Sequence, residues 1–338
     1  AGKPLYVTSK HKKSSNHNEI SIKDSFSFTG QDRLMSHTHQ IGNGNPQLLQ
    51  SNSYNKLGQR IRKAVGGLDL TGVSALQKVD YRYNIRGWLT DINDAKKLQI
   101  SGDPKDLFGF KINYNTVENA SGYEGKPQYN GNISETYWAT AADDGVRRKY
   151  GYFYDNLNRL SEAVYIKPDN ITPVTQSYNE KMFYNKNGNI RKLERYGNQD
   201  TNFPIKIDNL DYNYYANSNQ LLSVKDSEGV DGFKNGVDTS QEYRYDAQGN
   251  LERDDNKGIQ AIIYNHLNLP TSITFVSGAK IEYIYNAIGT KVTKKVKQSG
   301  VTQQTDYQGG FQYIGGRLAF FPTAEGYVDA TGGAYKYV

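Results

Sequence analysis

The sequence runs to 338 residues without a cysteine, carries a net charge of +6 and has a mean hydropathy of -0.78. Disulfides, thiolate metal centres and cysteine nucleophiles are therefore excluded, and the lack of any run of about 18 apolar residues excludes a single apolar helix across a membrane. The 28 tyrosines and 12 phenylalanines, at strand spacing, argue against a disordered chain, because disorder is poor in aromatics.

Taken in order, residues 1–19 are polar, rich in Lys, Ser and Asn, and read as a loop or frayed edge without the apolar core of a signal segment. Ser25 to Ile41 reads as a strand, a turn over Gly30, Gln31 and Asp32, and a return strand from Leu34. His37 and His39 share one face of that return strand. A metal would need further ligands that the sequence does not place nearby, so the pair reads as strand surface. The Gly42-Asn43-Gly44 loop lacks the strand and helix that a phosphate cradle requires.

At Tyr54 a motif begins that the rest of the chain repeats: Tyr, Asn or Asp, two free residues, Gly or Asn, one free residue, then an apolar residue. The clearest copy is Glu242 to Leu251, where Tyr243 and Tyr245 share one strand face, Asp246 opens a turn, Gly249 supplies positive φ and Leu251 starts the return strand. Other copies are Tyr54-Asn55 with Gly58 and Ile61, Tyr83-Asn84 with Gly87 and Leu89, and Tyr154-Asp155 with Asn158 and Leu160. They continue at Tyr184-Asn185 with Gly188 and Ile190, Tyr264-Asn265 with Asn268 and Leu269, and Tyr285-Asn286 with Gly289 and Val292. A worn copy spans Tyr215 to Leu222 with Asn219 in the glycine position. Asn is the best non-glycine tenant of the left-handed region, so the substitutions obey one physical rule.

Between copies, Gly66 to Val79 predicts a short helix through Leu68, Leu70, Val73 and Leu76, capped by Asp69 or Thr71. Asp91 to Leu98 predicts one helical turn before the Gly102-Asp103-Pro104 break. Leu107 to Tyr114 alternates as a strand, residues 115–148 depart from the repeat, and within them Tyr129 to Ile133 is a compressed turn leading to a strand over Ile133 to Trp138. From Lys149 to Val296 the copies are regular, with longer turns at Pro168 to Thr175, Gly197 to Pro204 and Ser227 to Asp238. The carboxylates Asp226, Glu228, Asp231 and Asp238 lack the alternating order of a calcium loop and read as a hydrophilic turn.

Setting tyrosine aside and adding glycine leaves about 38% core-forming residues, against about 45–50% in ordinary globular domains. A single-layer sheet accommodates that deficit, since tyrosine rings bury area while their hydroxyls stay in water. The densest basic runs, Lys10, Lys12, Lys13 and Lys291, Lys294, Lys295, Lys297, read as a solvated tail and strand face, not as a nucleic-acid surface. The adjacent carboxylates Asp143-Asp144 and Asp254-Asp255 point apart on a strand, and His11, His17, His37, His39 and His266 have no nucleophile in view. The chain therefore reads as non-enzymatic, without a cofactor.

Over roughly Phe28 to Tyr313 the motif resembles the YD repeat of the rearrangement hot spot (RHS) family. The resemblance implies an all-β antiparallel hairpin ribbon that spirals into a hollow shell around a C-terminal effector, with the turns at Tyr54, Gly58, Tyr83, Gly87, Tyr154, Asp155, Tyr184, Gly188, Tyr245, Asp246, Gly249, Tyr264, Tyr285 and Gly289 as its structural repeat. It places the ribbon at 1–304 and, at 305–338, a lead-in similar to the one before the RHS-associated core in the branch exported by type IX secretion. The chain stops before the family's core motif, so the expectation is a segment of a larger secreted or cell-surface bacterial protein whose export signal lies elsewhere. Its expected partners are the remaining chain, its cargo and secretion-machinery or surface carriers. A carbohydrate-binding adhesin, with exposed Tyr and Trp stacking on sugars, is the alternative.

Overall fold

A computed structural model describes residues 2–118, 125–169, 176–197, 200–201, 203–228 and 231–338. Every regular element among them is a strand, and within each of two sheets the strands pair antiparallel with their neighbours in sequence. Hydrogen bonding runs in chain order through a 15-stranded sheet from Tyr6–His11 to Leu221–Asp226, and through an 11-stranded sheet from Tyr243–Tyr245 to Lys336–Tyr337. By backbone contacts the chain forms two compact units, residues 1–158 with 164–174, and residues 159–163 with 175–338.

The repeat motif makes the hairpin and also a β-bulge beside it. Ser53 pairs with Arg62 but Tyr54 with Arg60, so Ile61 is the extra residue, and the same shift falls at Tyr83, Tyr184, Tyr245, Tyr264 and Tyr285. A bulge of this kind leaves one residue unpaired and increases the local twist. It also revises the motif's last position, because Arg60 and Lys291, not Ile61 and Val292, face the tyrosines.

Neither predicted helix forms. Gly66, Gly67 and Gly72 have φ of 76°, 103° and 79°, in the left-handed region that ends a right-handed helix. The Asp69 carboxylate accepts from the Thr71 amide at 3.0 Å, the Thr71 hydroxyl at 2.6 Å and the Ser74 amide at 2.6 Å, so the cap residue closes a loop instead. Leu68, Leu70, Val73 and Leu76 are all exposed, and their helical spacing marks no buried face. Asp91 and Ile92 belong to the strand Leu89–Ile92, Asn93 turns with φ 53°, and Asp94 caps Lys96 at 2.8 Å. The strands predicted at 107–114 and 133–138 occupy Phe108–Asn113 and Glu135–Thr140.

The core is thin and divided. In the first unit Leu48, Ala64 and Ala75 pack together; in the second Leu210, Val224 and Tyr243 are joined by half-buried Leu193, Tyr212, Leu221, Phe233, Tyr245 and Leu251. The long turn at 168–175 lies mostly outside the described residues, as do parts of the segments 115–148, 197–204 and 227–238.

Candidate functional site: the repeat turns and their tyrosines

Each repeat turn is closed by its Asx residue. Asp246 Oδ1 accepts from the Gln248 and Asn250 amides at 2.9 and 2.8 Å, while the Asp246 amide donates to the Asn250 carbonyl and the Gly249 amide to the Asp246 carbonyl. Asn55, Asn84, Asn185, Asn265 and Asn286 each bind the amides two and four residues on in the same way, and Asp155 binds Leu157. The network needs only a side-chain oxygen that accepts both amides, which explains why Asn and Asp interchange. The fourth position takes positive φ: 80° at Gly58, 78° at Gly87, 90° at Gly188, 88° at Gly249 and 83° at Gly289, and Asn158 and Asn268 adopt 60° and 57°. In the worn early copy Thr29 stands in for Asx, its hydroxyl accepting from Gln31 and Arg33, with Asp32 at φ 60°. The later worn copy sits one residue away from its expected register. Tyr214 pairs with Leu221, Tyr215 takes the Asx place, and Asn217, not Asn219, has the positive φ of 58°, because that loop is one residue longer.

The motif tyrosines do more than cover a face. Tyr54, Tyr83, Tyr154 and Tyr184 donate their hydroxyls to the carbonyls of Leu34, Arg60, Ile133 and Leu160 at 2.8, 2.9, 2.8 and 2.6 Å. Tyr214, Tyr264 and Tyr285 reach the carbonyls of Ile190, Leu251 and Pro270 at 2.6, 2.7 and 2.9 Å, and Tyr245 bonds the Leu221 backbone. The acceptor in each case follows the preceding turn, so every repeat is tied to the one before it by a side chain. Burial raises the hydroxyl pKa of Tyr154, Tyr214, Tyr245, Tyr264 and Tyr285, keeping them protonated as donors.

A second tie comes from the last residue of each turn, which follows the positive-φ position directly in Gln59, Trp88 and Leu269 and closes the longer loop as Gln220. These residues lie beside Gly87, Gly131, Gly289 and Gly249 of the following turns, at 3.4, 3.5, 3.1 and 3.7 Å from where a Cβ would stand. The amides of Asn189 and Asn250 reach Asn219 and Asn268 at 2.8 and 3.1 Å.

The other candidates resolve individually. His37 and His39 are buried, not on the surface, at 7% and 3% exposure; His37 Nε2 meets Asp24 at 2.7 Å, and burial lowers the pKa of His39. Asp143 and Asp144 both hold Arg148, Asp255 pairs with Arg253, and Asp254 caps Lys257. Asp226 caps Asn209 and Glu228, and Asp238 pairs with Lys225. Among the described residues no three His, Asp or Glu side chains converge as a metal site.

Sequence reasoning missed a buried charged cluster in the first unit. Lys149 and Glu135 are both fully buried and paired, and Lys149 Nζ also donates to the Glu118 carbonyl at 3.0 Å. Glu135 Oε2 accepts from Asn113 at 3.1 Å, the Glu118 amide at 2.9 Å and the Tyr137 hydroxyl at 3.3 Å. Desolvation first, then the Glu135 charge, raises the Tyr137 pKa strongly. On the strand pattern Lys149 resembles any solvated lysine; only the packing of the neighbouring inserts over it could have shown otherwise.

No family model and no curated protein matches the chain. Solved structures do. The Photorhabdus luminescens Tc holotoxin pore aligns at TM-score 0.59 and 16% identity, covering 93% of this chain and 14% of that one. A TcdB2–TccC3 crystal structure aligns at TM-score 0.60 and 14% identity, covering 97% and 17%. The fold is RHS-like. The same complex without its hypervariable C-terminal region gives TM-score 0.58 and 15% identity over 92% of this chain. The chain spans 14–17% of the length of the chains it matches. No helix among the described residues is long and apolar enough to cross a membrane.

Proposed function

We propose that this chain is a non-enzymatic wall segment of a larger bacterial RHS protein, secreted or held at the cell surface, that encloses or presents a C-terminal effector. What carries the reading is the doubly tied hairpin series, in which tyrosine hydroxyls and the last side chains of the turns join one hairpin to the next. A wall works by exclusion, and this one is built for continuity. The likeness to Tc toxin complexes supports it at the level of fold. In this reading residues 1–304 form the repeat ribbon, 305–338 lead into the RHS-associated core, export follows the type IX route, and the partners are the remaining chain, the effector and a secretion or surface carrier. The test is protease protection of the effector within the full-length protein. Digestion as fast as that of the isolated effector would remove the wall function.

A second reading has one observation in its favour. Trp138, Tyr150 and Tyr152 form a half-buried aromatic row, with ring centroids 5.4 and 6.0 Å apart and planes within 22° and 28°, and Trp138 and Tyr150 also pack on buried Tyr165. Such a platform suits stacking on a sugar chain. Saturable glycan-array binding that is lost in Trp138→Ala would favour the adhesin.

A further inference from the structure

Where the residue after the positive-φ position is an arginine, it fills the space over the next repeat tyrosine. Arg33 lies over the Tyr54 ring with its guanidinium 5.9 Å from the centroid, and Arg159 lies 4.5 Å over Tyr184 while donating to the Asn185 carbonyl at 3.2 Å. Asn250 holds the corresponding position before Tyr264. Its short amide is taken up by Asp246 Oδ2 at 2.9 Å and Asn268 at 3.1 Å. Beside it a cavity of about 500 Å³ opens between the two turns, lined among others by Asp246, Gln248, Glu252, Tyr264, His266 and Asn268.

The cavity is acidic for structural reasons. Glu252 is the extra residue of the bulge opposite Tyr245, is exposed, and has no ion-pair partner among the described residues. Asp246 is held in the carboxylate form, chiefly by the side chain of Asn250. After burial, the charges of these two carboxylates are what raise the Tyr264 hydroxyl. No lysine or arginine lines the space.

We propose that this cavity is a binding site for the guanidinium group of an arginine side chain presented by a partner segment. The arginine would lie over the Tyr264 ring, as Arg33 and Arg159 lie over theirs, with Asp246 and Glu252 neutralising its charge. A planar cation gains from an aromatic face and from carboxylates in the same pocket, which a lysine ammonium matches less well in shape. The site does not depend on the wall function and stands if that reading fails.

The test uses the whole 338-residue chain, titrated with N-acetyl-argininamide and, as a neutral isostere, N-acetyl-citrullinamide, following the amide resonances of Gln248 and His266. The expected result is saturable binding on the order of millimolar, as befits a few exposed polar contacts, with citrullinamide at least about tenfold weaker. Glu252→Gln should weaken binding by about threefold, and Asn250→Arg should abolish it by placing the chain's own guanidinium in the cavity. If Asn250→Arg does not fold, Glu252→Lys serves as the internal plug. Equal binding of the two probes, unchanged binding in the plugged variant, or no saturation by argininamide would each overturn the proposal.

Discussion

A tyrosine hydroxyl that bonds a carbonyl of the previous repeat makes a specific claim about substitution. Tyr184→Phe keeps the ring but leaves the Leu160 carbonyl without its donor, and should cost about 1 kcal/mol in denaturant melts. Gly249→Val should cost about 1–3 kcal/mol while Gln248→Ala stays within about 0.5 kcal/mol. The valine penalty is conformational, since φ is 88° and the nearest neighbour of an added Cβ, Gln220, is 3.7 Å away. Equal melting of the two variants would contradict the turn geometry. Removing one member of the buried pair is harsher: Glu135→Ala strands the Lys149 charge at 0% exposure and should lose about 3–5 kcal/mol, more than any turn variant. These residues differ in how far the sequence betrays them. Asx and glycine act within five residues, so their spacing is visible in a string of letters. Lys149 is distinctive only because Glu118 and Glu135 surround it, and those are 31 and 14 positions away.

At the scale of elements, the insert that precedes Phe108–Asn113 carries a carboxyl with an unusual titration. Asp106 is buried, and burial followed by the Asp80 and Asp103 charges pushes its pKa up to about 6; Asp94 adds to this, while Arg62 opposes it. Arg62 is itself engaged by Asp80 and Asp103, and Lys78 by Asp103. A carboxyl whose folded pKa lies above its unfolded value near 4 binds its proton more tightly in the fold. Its contribution is therefore full below about pH 4 and is lost as pH rises through 6. Asp106→Asn should raise the melting temperature at pH 8 and change it little at pH 4, and an equal rise at both would refute the assignment. An earlier insert, between Arg60–Val65 and Gln77–Tyr83, shows where element prediction failed. Periodic leucines at 68–76 suggested a helix, but three left-handed glycines and a loop-closing Asp69 decided the backbone locally. The strands were legible because period-two alternation and turn chemistry agreed.

For the whole molecule, the first strand of the 15-stranded sheet pairs on one side only, and Leu5, Tyr6 and Val7 beside that edge are exposed. Unpaired edges with apolar neighbours recruit other strands. The isolated chain should self-associate with rising concentration in sedimentation, and a Val7→Lys variant should do so less; a 38.1 kDa monomer at all concentrations would refute this. One further property follows from strands that pair only with their sequence neighbours. Few long loops must close during folding, so the chain should fold quickly for a β protein and lose structure gradually. Amide exchange should then proceed hairpin by hairpin, and under mechanical load each hairpin should release separately as a row of small steps.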